Sequence, residues 1–401
     1  MSTPDIHLLI VTGQAQANLI PVMQLKPHII ALAISQAMKT NAEQFIKLLT
    51  RLAGYSEENI VQYHNVPDVG LDAIKDRALE IEDHLNQRFP EHPIVYHATG
   101  GTKLIALGFY DVFHRPPNRV VYTDTAHGQI EILYPAKSPS IAIDKVLTLE
   151  SYLLSMDKQM RKSADDTWQT NARQRRKLSI WLAQNTKQLQ SYWRVINTLA
   201  HNALAQPQRG QPPALAQPLQ TFETGKAPFR PWQTALAKCS QAGLCGWDSK
   251  TPHHLYFKSA DAAQYLSGGW LEEYVWLTAS ELGCDEVHAN VFFTETGNPK
   301  DDIRNEMDCL ILHNNRLLMI ECKTGAFKAD DPKSDGILYK LHTLENRTGG
   351  LFGDAWLVSA RTLDDATQNR AHEYKIKIIQ GGNIKQLKNQ LQNWMNGGSA
   401  P

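Results

Sequence analysis

Two acidic residues and a lysine between residues 306 and 323 are spaced so that a β-hairpin would bring them together. This segment consists of two apolar runs around an Asn-Asn pair at 314–315, and asparagine favours a tight turn because it tolerates positive φ. With that pair in the turn, Asp308 lies directly opposite Glu321 in the hairpin register. Lys323 comes two residues later and therefore falls on the same face as Glu321. The pattern predicts a polar cluster at the open end of the hairpin.

Two carboxylates that face each other across a hairpin destabilise it unless a cation lies between them. Asp308 and Glu321 are suitable ligands for Mg²⁺ or Mn²⁺, and a backbone carbonyl at the position of Cys322 often completes such a shell. The metal would activate a water and stabilise charge on a scissile phosphate, while Lys323 would steer the water or neutralise the transition state. An exposed hairpin end with a Glu306–Lys323 ion pair is the alternative. The apolar flanks and the matched register favour the metal site, and hence phosphodiester hydrolysis.

A second candidate site is the segment 97–103, His-Ala-Thr-Gly-Gly-Thr-Lys, which follows an apolar run and precedes an apolar helix predicted over 104–113. Its two glycines allow a ligand to approach the backbone closely, and the start of the helix offers free N–H groups. Lys103 adds positive charge, so the turn suits an anion such as a phosphate. The segment matches neither the Walker A pattern nor the GxGxxG dinucleotide pattern. A glycine turn that caps the helix beside a solvated lysine is the alternative left open.

The residues around this turn predict the sheet that would position it. Short apolar runs alternate with helical patterns such as 41–52 and 71–85, which indicates parallel strands buried on both faces and connected by helices. We therefore expect a Rossmann-like α/β domain over residues 1–150, with ligands bound beyond the carboxyl ends of its strands. The predicted strands are 6–11, 29–34, 59–63, 93–96 and 120–122. The polar residues that follow them are Thr12, Gly13, Gln14, Ser35, Gln36, Asn65, Thr99, Gly100, Gly101, Thr102 and Lys103.

Residues 151–218 are predicted to form a helical connector that ends in a Pro- and Gln-rich linker. Before the linker, the patterning is helical, with a basic run that includes Arg161 and Arg175. For this run a solvated helix face is favoured over a nucleic-acid contact. The linker at 205–218 lacks periodicity and indicates a domain boundary. We expect a second domain, which contains the hairpin, to follow this boundary.

Length, composition and charge limit the classes of protein to which the chain can belong. With 401 residues, 42% of them hydrophobic and 20% charged, the chain is long enough for two or three globular domains. Basic and acidic residues both number 41, so contact with nucleic acid requires a local basic patch. Five cysteines without a CxxC pair argue against a disulfide framework and against a zinc ribbon. The sequence has no apolar run of about 18 residues and no secretion-like start, which indicates a cytoplasmic protein without a membrane partner.

The turn at 97–103, in a Rossmann-like domain that opens a two-domain chain, resembles the CARF domains of type III CRISPR accessory proteins. The resemblance implies a homodimer in which two such domains face each other and bind a cyclic oligoadenylate across the dyad. The ligand-binding residues that it implies are Thr99, Gly100, Gly101, Thr102 and Lys103, together with Thr12, Gly13 and Gln14.

The second half resembles a different family. The order of Asp308, a dozen residues and then Glu321-Cys-Lys323 resembles the PD-(D/E)xK nuclease core, with Met307 in the place of the proline. This resemblance implies a restriction-endonuclease-like α/β domain over residues 219–401.

In that core, a glutamate on the first helix often reaches the metal. The segment Gly-Gly-Trp-Leu-Glu-Glu-Tyr-Val at 268–275 starts a predicted helix, so the resemblance implies Glu272 as a further catalytic residue, with Glu273 in reserve. The alternative for either residue is an ordinary exposed helical acid. Lys340, in a helix predicted over 338–341, could contact a phosphate, but a solvated lysine is the favoured interpretation, and it is left out of the catalytic set.

Taken together, both halves resemble the cyclic-oligoadenylate-activated nucleases of type III CRISPR systems over nearly the whole chain. The resemblance implies an antiviral endonuclease that uses Mg²⁺ or Mn²⁺ and cuts DNA, RNA or both when cyclic tetra-adenylate binds. One alternative is a ligand-responsive, nucleic-acid-binding regulator with an inactive nuclease fold, which the complete set of Asp308, Glu321 and Lys323 disfavours. A small-molecule enzyme built on the Rossmann-like domain is disfavoured by the missing GxGxxG pattern.

Overall fold

The amino-terminal half is built on an open, mostly parallel sheet. Its strands are β1 (Ile6–Ile10), β2 (Ile29–Ser35), β3 (Ile60–Val66), β4 (Ile94–His97), β5 (Arg119–Asp124), β6 (Gln129–Tyr134) and β7 (Ile141–Ala142). They lie in the order β3-β2-β1-β4-β5-β6-β7, with β1 to β5 parallel and the last two antiparallel. The predicted parallel sheet is confirmed, and the antiparallel extension adds to it. The computed structural model describes residues 5–125, 127–206, 212–223, 227–296, 305–325, 336–343 and 353–397.

Helices cover both faces of this first sheet. They are α1 (Ala15–Leu25), α2 (Lys39–Ala53), α3 (Leu71–Arg88) and α4 (Lys103–Phe113). In α2, the helical spacing of Phe45, Leu48 and Leu49 produces one apolar face, which is buried. α1 and α2 pack on one side of the sheet, and α3 and α4 pack on the other. Burial on both faces explains why the strands are apolar throughout.

The segment after the first sheet leads into the second half of the molecule. Its elements are α5 (Leu149–Ser155), β8 (Lys158–Lys162), α6 (Asp166–Gln184) and α7 (Gln190–Ala203). A small antiparallel sheet follows, formed by β9 (Leu219–Thr221), β10 (Cys245–Gly246) and β11 (His254–Phe257) and covered by α8 (Arg230–Gln241). None of the described helices is both long and apolar enough to cross a membrane.

A second large sheet carries the predicted hairpin. Together with β8, its strands are β12 (Glu286–Glu295), β13 (Asn305–His313), β14 (Arg316–Lys323), β15 (Gly353–Ser359) and β16 (Lys377–Gln380). The helices of this part of the chain are α9 (Ala260–Gln264), α10 (Trp270–Ser280), α11 (336–343), α12 (Asp365–Glu373) and α13 (Leu387–Met395). The strand order is β16-β15-β14-β13-β12-β8. β14, β15 and β16 are parallel, and the other neighbours are antiparallel.

The helical prediction for the connector is wrong at residues 158–162, which form β8. This strand pairs with β12, where Arg161 donates from Nε to Thr294 at 2.9 Å and Lys162 lies over the Phe292 ring at 4.9 Å. These contacts join residues about 130 positions apart, and sequence periodicity does not report them. The structure thus places β8 in the second sheet, and α6 and α7 pack in the same apolar cluster as α10.

The prediction of a solvated basic face is wrong for Arg175. This residue of α6 is only 8% exposed. Its guanidinium forms ion pairs with Glu273 of α10 and with Asp261 of α9, the latter at 2.5 Å. Opposite charges on separate helices allow a buried arginine where the local sequence suggests an exposed one.

One continuous apolar cluster joins the two halves. It includes Leu32 of the first sheet, Tyr152 of α5, and Phe293 and Leu310 of the second sheet. Between the two sheets, α5 contacts α1, α2 and β8. The two halves therefore share a packed core.

A buried asparagine in the hairpin turn holds the segment that leads to α5. The Oδ1 atom of Asn315 accepts from the backbone N–H groups of Val146 and Leu147 at 3.0 and 2.9 Å. Its Nδ2 atom donates to the carbonyl of Asp144 at 2.7 Å. We call this arrangement the Asn315 clasp. Its three hydrogen bonds fix residues 144–147 to the end of the hairpin that is remote from Asp308.

We expect Asn315→Gly to lower the free energy of unfolding by about 2 kcal/mol, because two backbone N–H groups lose their acceptor. Asn315 has a φ of 59°, which glycine adopts without strain, so the substitution removes the side chain and keeps the turn. Asn314→Gly, at a φ of 49° in the same turn, is the matched control. Urea unfolding of both variants checks the expectation. Equal losses at the two positions would show that the clasp does not contribute.

Candidate functional site

The hairpin of β13 and β14 has the predicted register. Cys309 pairs with Ile320 and His313 pairs with Arg316, with Asn314 and Asn315 in the turn at positive φ. Asp308 and Glu321 come immediately after the Cys309–Ile320 pair. The turn residues therefore bring the two carboxylates to the same end of the hairpin, as the sequence predicts.

Asp308 is buried and held by the backbone of the facing strand. Its Oδ2 atom accepts the N–H of Cys322 at 2.6 Å. Burial raises the pKa of Asp308 to about 6, and the charge of Glu321 adds to this effect. The same hydrogen bond fixes the Cys322 backbone beside the carboxylate. The proposed carbonyl ligand thus belongs to a peptide segment whose position Asp308 sets.

Glu321 is clamped between two lysines. Its Oε1 atom lies 2.9 Å from Lys323 Nζ, and its Oε2 atom lies 2.8 Å from Lys340 Nζ. Burial favours a protonated Glu321, but the two ammonium groups outweigh it and lower the pKa of this carboxyl. Lys323 also lies 3.9 Å from Asp308. Among the described residues, the ion pairs of Lys323 are thus with these two acids and not with Glu306.

The interpretation of Lys340 as a solvated lysine is wrong. Its side chain is 26% exposed and, besides Glu321, it donates to the backbone carbonyl of Glu306 at 2.6 Å. Leu338 and Leu341 anchor α11 in the core, and Lys340 projects from this helix to the hairpin. The apolar pattern of α11 predicts a helix but does not indicate its partner, so sequence reasoning considered Lys340 and left it out of the site.

Glu272 joins the same site from the first turn of α10. Burial raises its pKa to about 8, and Asp308 contributes further through its negative charge. With the Asn290 amide oriented to suit its neighbours, Nδ2 donates to Glu272 at 3.1 Å. Asn290 is a second residue that the sequence did not indicate. We call Glu272, Glu306, Asp308 and Glu321 the acid cluster.

The reserve candidate, Glu273, faces another way. Its carboxylate pairs with Arg175, and burial raises its pKa to about 7. Consecutive residues of a helix point about 100° apart, so one glutamate of the pair can enter the site while the other enters the helix interface. The structure assigns Glu273 to the packing of α6 against α10.

The composition of the acid cluster suits a hard divalent cation. Four carboxyl groups share two ammonium groups, and the raised pKa values of Glu272 and Asp308 reflect burial together with the excess of negative charge. Within the described ranges, no three His, Cys, Asp or Glu side chains are placed so that together they could hold a metal ion. Two carboxylates and a carbonyl with water in the other positions match the coordination habit of Mg²⁺.

The 97–103 turn lies at the carboxyl end of β4. A Cβ atom on Gly100 would lie 2.2 Å from the carbonyl oxygen of Ile10, and Gly101 has a φ of 82°, so both positions require glycine. Thr102 caps α4 by accepting the N–H of Ile105 at 3.3 Å. Thr99 accepts the N–H of Thr123 at 2.8 Å. The helix-capping alternative therefore describes Thr102 correctly, while Lys103 remains exposed at the start of the helix.

Thr12, Gly13 and Gln14 line a cavity of about 860 Å³ between the two halves. One wall is this loop together with α2, which contributes Asn41 and Lys47 among others. The other wall is the α5–β8 turn at 154–157 and the end of β12. The Thr99–Lys103 segment lies outside the lining. The structure thus divides the predicted ligand residues into a loop that lines this cavity and a turn that lies outside its lining.

Comparison with known families assigns both halves of the chain. Residues 6–152 match the model of the Card1 CARF domain, and residues 259–397 match that of the Card1-like endonuclease domain. These matches confirm the predicted order of a CARF domain and a nuclease domain.

Two solved structures are similar over the full length. The crystal structure of protein VC1899 from Vibrio cholerae is 21% identical, with a TM-score of 0.78 and 99% of each chain covered. Can2 from Sulfobacillus thermosulfidooxidans in complex with cyclic tetra-adenylate is 24% identical, with a TM-score of 0.73, and the match covers 98% of this chain and 97% of that one. At these identities the similarity establishes a common fold. No curated protein matches the chain in sequence.

We expect the metal-free protein to lose stability as the pH rises from about 5 to about 8. In this range the folded protein keeps a proton on Glu272, whose pKa is raised to about 8, whereas the unfolded chain has released it. The free energy of unfolding therefore falls with pH, by up to about 3.5 kcal/mol. Urea unfolding in EDTA at several pH values measures this. Glu272→Gln should reduce the slope without abolishing it, because burial also raises the pKa values of Asp308 and Glu273. An unchanged slope in that variant would contradict the assignment.

Proposed function

We propose that this chain, which belongs to the Card1-like family of CARF-domain endonucleases, is a divalent-metal-dependent nuclease that a cyclic oligoadenylate switches on. The observation that carries the proposal is that the buried carboxylates of Asp308 and Glu321 lie beside the Lys323 ammonium at the end of a hairpin. Cyclic tetra-adenylate is the proposed activator, since Can2 has the same fold and was solved with that ring. The substrate is DNA, RNA or both, in type III CRISPR antiviral defence.

Asp308, Glu321 and the Cys322 carbonyl are the proposed ligands of Mg²⁺ or Mn²⁺, and Glu272 completes the set. When bound, the cation supplies an activated water and stabilises the charge on the scissile phosphate. Lys323 holds positive charge beside both carboxylates and neutralises the phosphate as negative charge develops. Glu272 keeps its proton in the absence of the cation, which limits repulsion in the acid cluster.

The proposed activator site is formed by Thr99, Gly100, Gly101, Thr102 and Lys103 with Thr12, Gly13 and Gln14. The glycines bring the backbone close to a ligand, and Lys103 offers an exposed cation to a phosphate. If ring binding moved the loop at residues 12–14, that loop would push against the opposite wall of the 860 Å³ cavity, at the α5–β8 turn. This gives a physical route between two distinct sites.

A homodimer is proposed from an apolar patch beside this turn. Leu104 and Leu107, which is 62% exposed, lie on one face of α4. Leu71 is also exposed, and it packs near Gly108 of α4. Apolar side chains clustered in this way are suited to a second copy of the chain. Two copies meeting there would bring two Lys103 residues to a shared ring.

We expect Asp308→Asn to reduce cleavage by about 100-fold or more while leaving the affinity for cyclic tetra-adenylate unchanged. The amide keeps the shape of the side chain and an acceptor for the Cys322 N–H. Labelled RNA, single-stranded DNA and plasmid, each incubated with Mn²⁺ or Mg²⁺ with and without the ring, provide the test, and calorimetry measures ring binding. Ring binding without any cleavage by the unmodified protein would favour the regulator instead. Full cleavage by the variant would overturn the site.

We expect Leu107→Arg to convert the dimer to a monomer and to weaken ring binding at least tenfold, because burying an unpaired arginine in an apolar interface is costly. Leu219→Arg is the control, since Leu219 is 57% exposed on the small sheet. Sedimentation velocity and calorimetry give the two readouts. A monomeric unmodified protein, or a dimeric Leu107→Arg variant, would show that the interface lies elsewhere.

A further inference from the structure

Lys340 makes contacts that the proposed catalytic set does not explain. Its ammonium binds Oε2 of Glu321 at 2.8 Å while Lys323 binds Oε1 at 2.9 Å. Both oxygens of the carboxylate proposed as a metal ligand are thus already in contact with a cation. A divalent ion at Glu321 has to share these oxygens with the lysines or displace one of them.

The two lysines differ in how they are held. Lys323 lies on β14, two residues from Glu321, so the strand geometry keeps them together. Lys340 reaches the carboxylate from α11, a separate element anchored through Leu338 and Leu341. Its contact with Glu321 can therefore break without disturbing the hairpin. Of the two lysines, Lys340 is therefore the one that can leave Glu321.

Lys340 is also the group that a phosphate can reach. A quarter of its side chain is exposed, and two of its ammonium protons have acceptors in Glu321 and the Glu306 carbonyl. An ammonium group has three donors, and a phosphate diester is a strong acceptor for such a group. An approaching nucleic-acid backbone thus competes with Glu321 for the same cation.

We propose that Lys340 is a positioning residue that occupies Glu321 in competition with the metal until a substrate phosphate draws the ammonium away. The inference rests on the proposed nuclease function and adds an order of events to it. Without nucleic acid, the lysine stabilises the buried carboxylate and keeps metal affinity low. With nucleic acid, the ammonium moves onto the phosphate and Glu321 becomes available to the metal.

The test measures Mn²⁺ binding without nucleic acid and without activator, using the electron paramagnetic resonance signal of free Mn²⁺. We expect Lys340→Met to bind Mn²⁺ at least tenfold more tightly than the unmodified protein, because the methionine keeps the length of the side chain and removes the charge. Lys340→Arg should retain weak binding. In the presence of ring, metal and nucleic acid, Lys340→Met should cleave at least tenfold more slowly, since the phosphate has lost its cation.

Two further variants separate the possible results. Lys388→Met, on the exposed side of α13, removes the same charge far from the cluster and should leave Mn²⁺ affinity unchanged. Asp308→Asn should weaken Mn²⁺ binding. If Asp308→Asn weakens binding but folded Lys340→Met does not tighten it, the role of Lys340 is refuted and the metal site stands. If Asp308→Asn leaves Mn²⁺ binding unchanged, or the unmodified protein and Lys340→Met both fail to bind Mn²⁺, the metal site and the inference built on it fall together.

Discussion

The structure of the second half depends on keeping four carboxyl groups close together, two of which, those of Asp308 and Glu321, are buried. Such a cluster is unstable without compensating charge, because burial and mutual repulsion both oppose ionisation. The compensation comes from three elements: β14 contributes Lys323, α11 contributes Lys340, and α10 contributes Glu272 in a form that retains its proton. Each element is therefore placed by electrostatics as well as by apolar packing.

The features that sequence reasoning predicted are those encoded within a few residues. The Asn-Asn turn sets the hairpin register, so the positions of Asp308 and Glu321 follow from counting. The parallel strands follow from apolar runs of strand length, and the tight turn at Gly100 follows from the glycines. Local signals of this kind were enough to predict the hairpin and the turn that carry the two candidate sites.

The features that it missed depend on contacts between distant segments. Lys340 and Arg175 are unremarkable lysine and arginine residues in helical sequence, and what makes them important is an acid on another element. β8 has a helical pattern but pairs with β12, about 130 residues away. The division of the activator residues between a cavity wall and a separate turn depends on how α5 packs. Periodicity reports only on residues that are close in the sequence, so it carries no information about these long-range contacts.

The Asn315 clasp limits where a foreign sensor domain can be joined to this nuclease domain. Asn315 belongs to the nuclease hairpin, yet its three hydrogen bonds are to residues 144–147, at the end of the first half. A recombination event that joins a foreign sensor at residue 150 would bring a linker that this asparagine has not been selected to hold. Functional chimeras should therefore retain residues 144–149 with the nuclease, so that the exchangeable unit extends beyond the nuclease domain itself.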